Sequence, residues 1–446
     1  MSALAISLHR QGYKVTGSDK GFFPPVSDHL KNAGVEYYPG WHVDKMTKNG
    51  DPDLVVVGNV AGSENPEWVY VQEKNIPYKS YPELIAEFFV KKNSIVCAGT
   101  YGKTSSASLL TWILKENNFD PTYMFGGLSL NDMMAAELTD SDYSILEGDE
   151  YKSARWDMRP KFAHYSPTHL LLTSCKWDHA DVYPTEESYF EAFEALVGEL
   201  PTNATIVVSE EVKNIKRLKD RKIVSYGKSA GNNYQFTNVI SSKNGVLFEI
   251  NKKSTIYNLQ STIIGQYTPK IITGCFAMAE ALGIESDGII KAVETYKGTK
   301  RRLEKRLDGD ITVFDDIAHS PAKARGVLDT LKKLYSGKVI AVFEPNTGNR
   351  TLESIPGYDN AFGSADEIII PRLTQVKTAV DDPNPPFDGV KLAEVISKTH
   401  SNVKYIEEDK KLIEYLVSET KKDDCVVFLG SHGFRGMIDA LKSKLK

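Results

Sequence analysis

Apolar and polar positions in the first ninety residues switch between two periods. Leu4 and Leu8 share one helical face that closes at Gly12, and residues 13–16 read as a strand. Asp53-Leu54-Val55-Val56-Val57 is a second, denser apolar run. Residues 66–74 and 81–90 carry helical spacing, with a short strand around Ile76-Pro77-Tyr78 between them. Such alternation predicts a parallel sheet with helices on its faces.

Lys91-Lys92-Asn93 interrupts the pattern and marks a boundary, so the first segment is residues 1–92. The second, 93–299, holds strands at 143–146, 170–173 and 204–208, and a helix at about 270–282 ending on Gly283. Short strands crowd residues 222–263, predicting a small antiparallel addition. Arg301-Arg302 opens a third α/β segment, 300–446, with strands at 311–314, 338–343, 367–370 and 426–429. Helices are predicted at 321–334 and 409–419. Asp381-Asp382-Pro383-Asn384-Pro385-Pro386 reads as a surface loop.

Bulk properties narrow the class. A chain of 446 residues has room for about three domains. Hydrophobic content of 41% and charged content of 25% are those of an ordinary globular protein. The net charge of −5 argues against a duplex nucleic-acid binder. No apolar run reaches the ~18 residues of a membrane span, and no signal-peptide layout opens the chain. A cytoplasmic protein without membrane or nucleic-acid partners is expected. Cys97, Cys175, Cys275 and Cys425 are far apart, which predicts reduced, buried thiols.

The chemistry concentrates first at Ile95-Val96-Cys97-Ala98-Gly99-Thr100-Tyr101-Gly102-Lys103-Thr104-Ser105. A β-favouring run enters a glycine turn, and an amphipathic helix follows through Leu109, Leu110, Ile113 and Leu114. A helix start of this kind turns backbone N–H groups and a positive dipole end toward an anion. Lys103 adds a charge for phosphates and Thr104 a hydroxyl for Mg²⁺. Gly-x-x-Gly-Lys-[Ser/Thr] is expected by chance only about 0.02 times in a chain of this length.

Other candidates fall at strand exits, where ligands of open α/β sheets collect. Glu147-Gly148-Asp149-Glu150 follows the 143–146 strand, and Glu147 is placed to hold Mg²⁺ with Thr104. Trp177-Asp178-His179-Ala180-Asp181 follows the 170–173 strand, which makes His179 a candidate metal ligand. In the third segment stand Arg301-Arg302-Leu303-Glu304 and Asp315-Asp316-Ile317-Ala318-His319-Ser320-Pro321. An arginine there is suited to a γ-phosphate, and an aspartate to ribose hydroxyls.

Taken in order, these motifs resemble the Mur ligases, the ATP-dependent amide-forming enzymes of peptidoglycan assembly. The resemblance spans nearly the whole chain. It implies an α/β, three-domain architecture: a Rossmann-like UDP-sugar-binding domain, a central P-loop ATPase-type domain and a Rossmann-like C-terminal ligase domain. It also implies ATP and Mg²⁺. Gly99, Thr100, Tyr101, Gly102, Lys103, Thr104 and Ser105 would hold phosphates, with Tyr267, Arg302, Asp316 and His319 contacting the rest of the nucleotide. Lys103, Glu147, His179 and Arg302 would be catalytic, and Thr104, Glu147 and His179 would hold metal.

Within the family, Gly148-Asp149-Glu150-Tyr151 and Lys161-Phe162-Ala163-His164-Tyr165 resemble the branch that joins UDP-N-acetylmuramate to a preformed tripeptide. The muramate carboxylate becomes an acyl phosphate, which the peptide amine attacks. The branch that adds free L-alanine shares many of the same motifs. Lys103→Ala is expected to abolish phosphate release while leaving the fold intact.

Three departures from the family stand out. The chain opens inside what the family presents as the first helix, so either an upstream strand and glycine turn are expected in the natural protein or the N-terminal domain has lost UDP binding. The adenine-contacting His-Asn-x-x-Asn is replaced around Gly265-Gln266-Tyr267-Thr268-Pro269-Lys270-Ile271, where Tyr267 alone is suited to stack on a base. Residues 186–200 contain no lysine to form a metal-bridging carbamate. The altered adenine motif raises the alternative of a non-catalytic nucleotide-binding homologue. A monomer or weak homodimer is expected.

Overall fold

The computed structural model describes every residue except 60, 180, 181, 375–384 and 446. Contacts divide the chain into two compact units. The first comprises residues 1–239, 247–261 and 267–297, and the second comprises 240–246, 262–266 and 298–446. Residues 381–384 of the expected surface loop lie outside the described residues, as do Ala180 and Asp181 of the histidine motif.

In the first unit, β1 (Thr16–Asp19) pairs in parallel with β2 (Glu36–Pro39), and β3 (Val55–Val57) with β4 (Tyr78–Ser80). These remain two separate two-stranded sheets rather than the single sheet expected for residues 1–92. No strand among the described residues lies between β1 and β3 to bridge their ladders. The first strand also begins later than its apolar pattern implied. Tyr13 packs edge-on against Phe88 at 5.6 Å, and Val15 leans on the core, so neither joins a ladder. The helix Tyr81–Phe88 starts at a capping box between Ser80 and Glu83.

The central sheet has ten strands. In chain order they are β5 (Asn93–Ala98), β6 (Thr122–Met124), β7 (Ala136–Glu137), β8 (Tyr143–Gly148), β9 (His169–Leu172), β10 (Thr205–Ser209), β11 (Ile223–Gly227), β12 (Tyr234–Ser242), β13 (Gly245–Lys252) and β14 (Thr255–Ser261). In space the order is β14-β13-β12-β11-β10-β9-β5-β8-β6-β7. β5 lies between β9 and β8 and is parallel to both. Its residues from Ser94 to Ala98 are buried, which is why the strand reads as a continuous apolar run. The two-residue connections on either side of β13 impose antiparallel pairing, as the crowding of short strands predicted. The helix Lys103–Glu116 returns along the sheet and buries Leu109, Leu110, Ile113 and Leu114. All four cysteines are free and buried.

The second unit carries a six-stranded sheet ordered β15-β16-β20-β17-β18-β19. Its strands are β15 (Glu304–Leu307), β16 (Thr312–Asp316), β17 (Val339–Glu344), β18 (Glu367–Pro371), β19 (Val403–Ile406) and β20 (Cys425–Gly430). β15 is antiparallel to β16, and the rest are parallel. Alternate residues of β17 enter different cores: Val339, Ala341 and Phe343 join one, Ile340 and Val342 the other. Helices therefore cover both faces, as expected for a doubly wound sheet. Among the described residues, no helix is long and apolar enough to cross a membrane.

Candidate active site

The turn after β5 owes its shape to two glycines. Gly99 has φ +134°, and a Cβ there would come within 2.5 Å of Thr173 Oγ1 and 2.6 Å of Ser174 O. Gly102, at φ +86°, caps the helix Lys103–Glu116 without any side-chain hydrogen bond. The first half of the turn is tied to the strand exit of β9. The Thr100 N–H donates to Ser174 O at 3.3 Å and the Tyr101 N–H to Ser174 Oγ at 2.9 Å. Thr100 Oγ1 donates to Lys176 O at 2.7 Å. The intrahelical ladder begins with the Ser106 N–H donating to Gly102 O at 2.8 Å. Residues 103–105 therefore present helix-start N–H groups that lie outside that ladder, the arrangement that accepts phosphate oxygens.

Two acidic side chains from the exit of β8 meet this turn. Thr104 Oγ1 donates to Glu147 Oε1 at 2.7 Å, and the Gly126 N–H donates to the other carboxylate oxygen at 2.6 Å. A hydroxyl and a carboxylate oxygen thus lie side by side. They make a hard-oxygen pair of the kind Mg²⁺ takes together with phosphates and water. Among the described residues no three His, Cys, Asp or Glu side chains are grouped tightly enough to hold a metal alone.

Glu150 stands in the strand-exit motif, but sequence reasoning assigns it no role of its own. It is fully buried, and its Oε2 lies 2.6 Å from Lys103 Nζ. Its other oxygen lies 3.4 Å from His179 Nε2. One carboxylate thus bridges the loop lysine and the histidine expected at the metal. His179 has φ +57° and an edge-on ring contact with Tyr151. Its hydrogen bond with Glu150 pushes the imidazole pKa up from its usual range. The expectation that Thr104, Glu147 and His179 converge takes a specific form here: Glu147 touches Thr104 directly, and His179 reaches the loop through Glu150.

Tyr101 and Tyr267 are both exposed, and Tyr267 caps the helix Thr268–Ala281. Burial pushes the Tyr101 phenol up, with Asp178 and Tyr267 adding to the shift. Thr268 is buried, so of the two residues that replace the family's His-Asn pair only the tyrosine ring offers a face to a base.

The candidates of the second unit divide into held and free groups. Arg301 donates to Asp315 Oδ1 at 3.2 Å, to Ser431 O at 3.0 Å, to His432 O at 2.9 Å and to Gly430 O. Arg302 is exposed and engages no hydrogen bond among the described residues. Asp316 is buried, and its oxygens accept the N–H groups of Leu303 at 2.7 Å and Ala318 at 2.8 Å. Burial pushes its carboxyl up despite those donors. The carboxylate anchors two backbone turns at the strand exit where a ribose contact is expected. His319 Nδ1 lies 2.7 Å from the carbonyl of Ile317.

Residues 1–92 match the Mur ligase family catalytic domain, 97–279 the Mur ligase middle domain and 301–432 the Mur ligase glutamate ligase domain. The chain is a Mur ligase. As such it is an ATP-dependent carbon–nitrogen ligase, and the phosphate loop is where its nucleotide chemistry is expected. This Mur ligase is 27% identical to a UDP-N-acetylmuramate–L-alanyl-gamma-D-glutamyl-meso-2,6-diaminoheptandioate ligase of Haemophilus influenzae, over 100% of the chain and 97% of that protein. It is 28% identical to a UDP-N-acetylmuramate–L-alanine ligase of Dictyoglomus turgidum, over 97% of the chain and 91% of that protein. The crystal structure of a UDP-N-acetylmuramate–alanine ligase from Thermotoga maritima shares its fold, with a TM-score of 0.83 at 21% identity. That likeness covers 100% of this Mur ligase and 96% of the other chain.

Proposed function

We propose that this Mur ligase joins the carboxylate of UDP-N-acetylmuramate to the amine of a preformed L-alanyl-γ-D-glutamyl-diaminopimelate tripeptide in peptidoglycan recycling. The observation that carries the chemistry is the phosphate loop with Lys103 resting on a buried carboxylate, an arrangement suited to exchanging that carboxylate for phosphate. ATP bound here supplies the phosphoryl group that turns a poor acyl donor into a reactive one. Amides 103–105 and Lys103 bind and orient the phosphates, and the N-terminal end of the loop helix favours their charge. Thr104 and Glu147 would hold Mg²⁺, and His179 would support a second cation beside Glu150. Arg302 would neutralise the γ-phosphoryl charge, and Tyr267 would offer a ring to adenine. Asp316 and His319 would shape the ribose end, Asp316 through the turns it anchors. Most of the rate comes from positioning and charge stabilisation, and no side chain serves as a covalent nucleophile.

Residues 1–92 would recognise the UDP-sugar, 93–299 ATP, and 300–446 the acceptor. The tripeptide acceptor is supported by the motifs around Glu150-Tyr151 and Lys161 and by the relatives that carry that activity. L-Alanine is the second reading, supported by the alanine ligases found at similar identity. The deciding assay supplies ATP, Mg²⁺ and UDP-N-acetylmuramate with tripeptide and alanine in competition, and follows phosphate release and product mass. Tripeptide is expected to win in kcat/KM. A preference for alanine moves the protein to the sibling activity, and release with neither acceptor leaves a nucleotide-binding homologue.

A further inference from the structure

A cavity of about 330 Å³ lies in the first unit beside the phosphate loop. Gly58 and Asn59 line one side, and Gly126, Glu147 and Asp149 line another. Glu147 belongs to both places, since it also accepts from Thr104 at 2.7 Å. A carboxylate bound in this cavity would lie beside the Glu147 side chain that Thr104 touches. Among the described residues that line it, Lys161 is the one lysine or arginine.

The position of Lys161 is fixed before any ligand arrives. Its backbone N–H donates to Tyr151 O at 3.1 Å, and the Phe162 N–H donates to Asp149 O at 3.2 Å. The Ser153 N–H donates to Arg159 O at 2.9 Å and closes the loop between them. The ammonium lies 2.6 Å from Asp149 Oδ2 and 5.9 Å from the centre of the Tyr151 ring. A lysine ammonium has three donors, and Asp149 takes one. The remaining two belong to a cation on the cavity wall.

We infer that Lys161 is a specificity-determining residue whose ammonium receives the carboxylate of the donor sugar and so selects an acidic nucleotide sugar over a neutral one. This rests on the ligase reading above. It adds a residue to which that reading gives no role in the donor site.

The test compares two ligands that differ by the acidic lactyl group: UDP-N-acetylmuramate and UDP-N-acetylglucosamine. Calorimetric Kd values are measured on the protein and on Lys161→Met, Lys161→Gln and Lys161→Arg. The wild type is expected to prefer the acid by about tenfold or more, the scale of one charge-assisted hydrogen bond. Lys161→Met and Lys161→Gln should bring the two Kd values together by weakening only the acid. Lys161→Arg should keep most of the preference. Binding of a non-hydrolysable ATP analogue should stay within about twofold in all variants, because the loop amides and Lys103 are untouched. A neutral variant that keeps the acid preference overturns the assignment while leaving the ligase reading in place, and so does equal weakening of both ligands. A wild type that binds neither nucleotide sugar removes both. If Lys161→Met does not fold, the Gln and Arg pair still decides.

Discussion

The two parallel sheets of this protein both gather charged side chains at their carboxyl edges, yet they treat those charges in opposite ways. At the six-stranded sheet several of the charges are engaged largely by backbone partners. Arg301 is shared among Asp315 and three backbone carbonyls, and Asp316 accepts two backbone N–H groups. Glu344 accepts from the Thr374 N–H and hydroxyl, and Arg435 grips Asp409. At the ten-stranded sheet the loop amides have no ladder partner, and Lys103 rests on the Glu150 carboxylate and the Thr100 carbonyl. A closed network fixes a surface, whereas an exchangeable one leaves room for a ligand. Topology places the residues at an edge, and their partners decide which kind of edge it is.

The largest test of this contrast falls on Lys103. Lys103→Ala should lower substrate-dependent phosphate release by about 10³-fold or more, the scale of losing a cation on a transferring phosphoryl group. It should not leave the fold untouched, contrary to what the sequence alone implied. Removing the ammonium strands the fully buried Glu150 carboxylate with His179 as its remaining partner. Breaking a buried pair from one side costs about 3–5 kcal/mol. The double variant Lys103→Met with Glu150→Gln should recover much of that stability in urea titrations and none of the turnover. A single variant as stable as the wild type would mean that the Lys103–Glu150 pair is not held in solution.

Neighbouring arginines sharpen the comparison within the second unit. Arg301→Ala removes donors from Asp315 and three carbonyls and should cost about 2–4 kcal/mol of unfolding free energy. Arg302→Ala alters an exposed side chain that makes no hydrogen bond among the described residues and should stay within about 0.5 kcal/mol of wild type. Its turnover should nevertheless fall about 10²-fold if it meets phosphoryl charge. Equal stability loss in both variants, with normal turnover for Arg302→Ala, would erase the distinction between held and free groups.

Much of this arrangement is legible in the residues themselves. The run from Ile95 to Ala98 and the spacing of Leu109, Leu110, Ile113 and Leu114 are local signals, and strand and helix form where they fall. Glu147 is legible because a strand exit in a parallel sheet has one geometric meaning. Glu150 is not, because its partnership depends on how the turn after β8 folds back on the loop. Asp316 is legible in position, but the backbone amides of Leu303 and Ala318 that it holds carry no sequence signature. Lys161 reads as a polar residue in a motif, and only the cavity shows what it faces. The separate β1–β2 and β3–β4 ladders were hidden for a related reason. Apolar alternation marks strands but does not say whether a neighbour bridges them.

The smallest expected effect concerns the closed edge and its response to acid. Asp409 accepts from Arg435 Nε at 2.9 Å and Nη2 at 3.0 Å, and from Arg372 Nη2 at 3.3 Å. The hydrogen bond from Arg435 is the leading reason that its carboxyl is held below the usual aspartate range, with Arg372 acting in the same direction. A carboxyl depressed in the folded state contributes stability that is present above its unfolded pKa and lost as pH falls through the folded one. Asp409→Asn should therefore cost stability at neutral pH, and the deficit should shrink below about pH 4 as the wild-type carboxylate takes up its proton. The pair is partly solvated, so the neutral-pH difference should be about 1 kcal/mol. Urea midpoints of the two proteins, measured from pH 7 down to the acid transition, trace this directly. A deficit that is the same at every pH would assign Asp409 a packing role, and the grip of Arg435 would then owe little to charge.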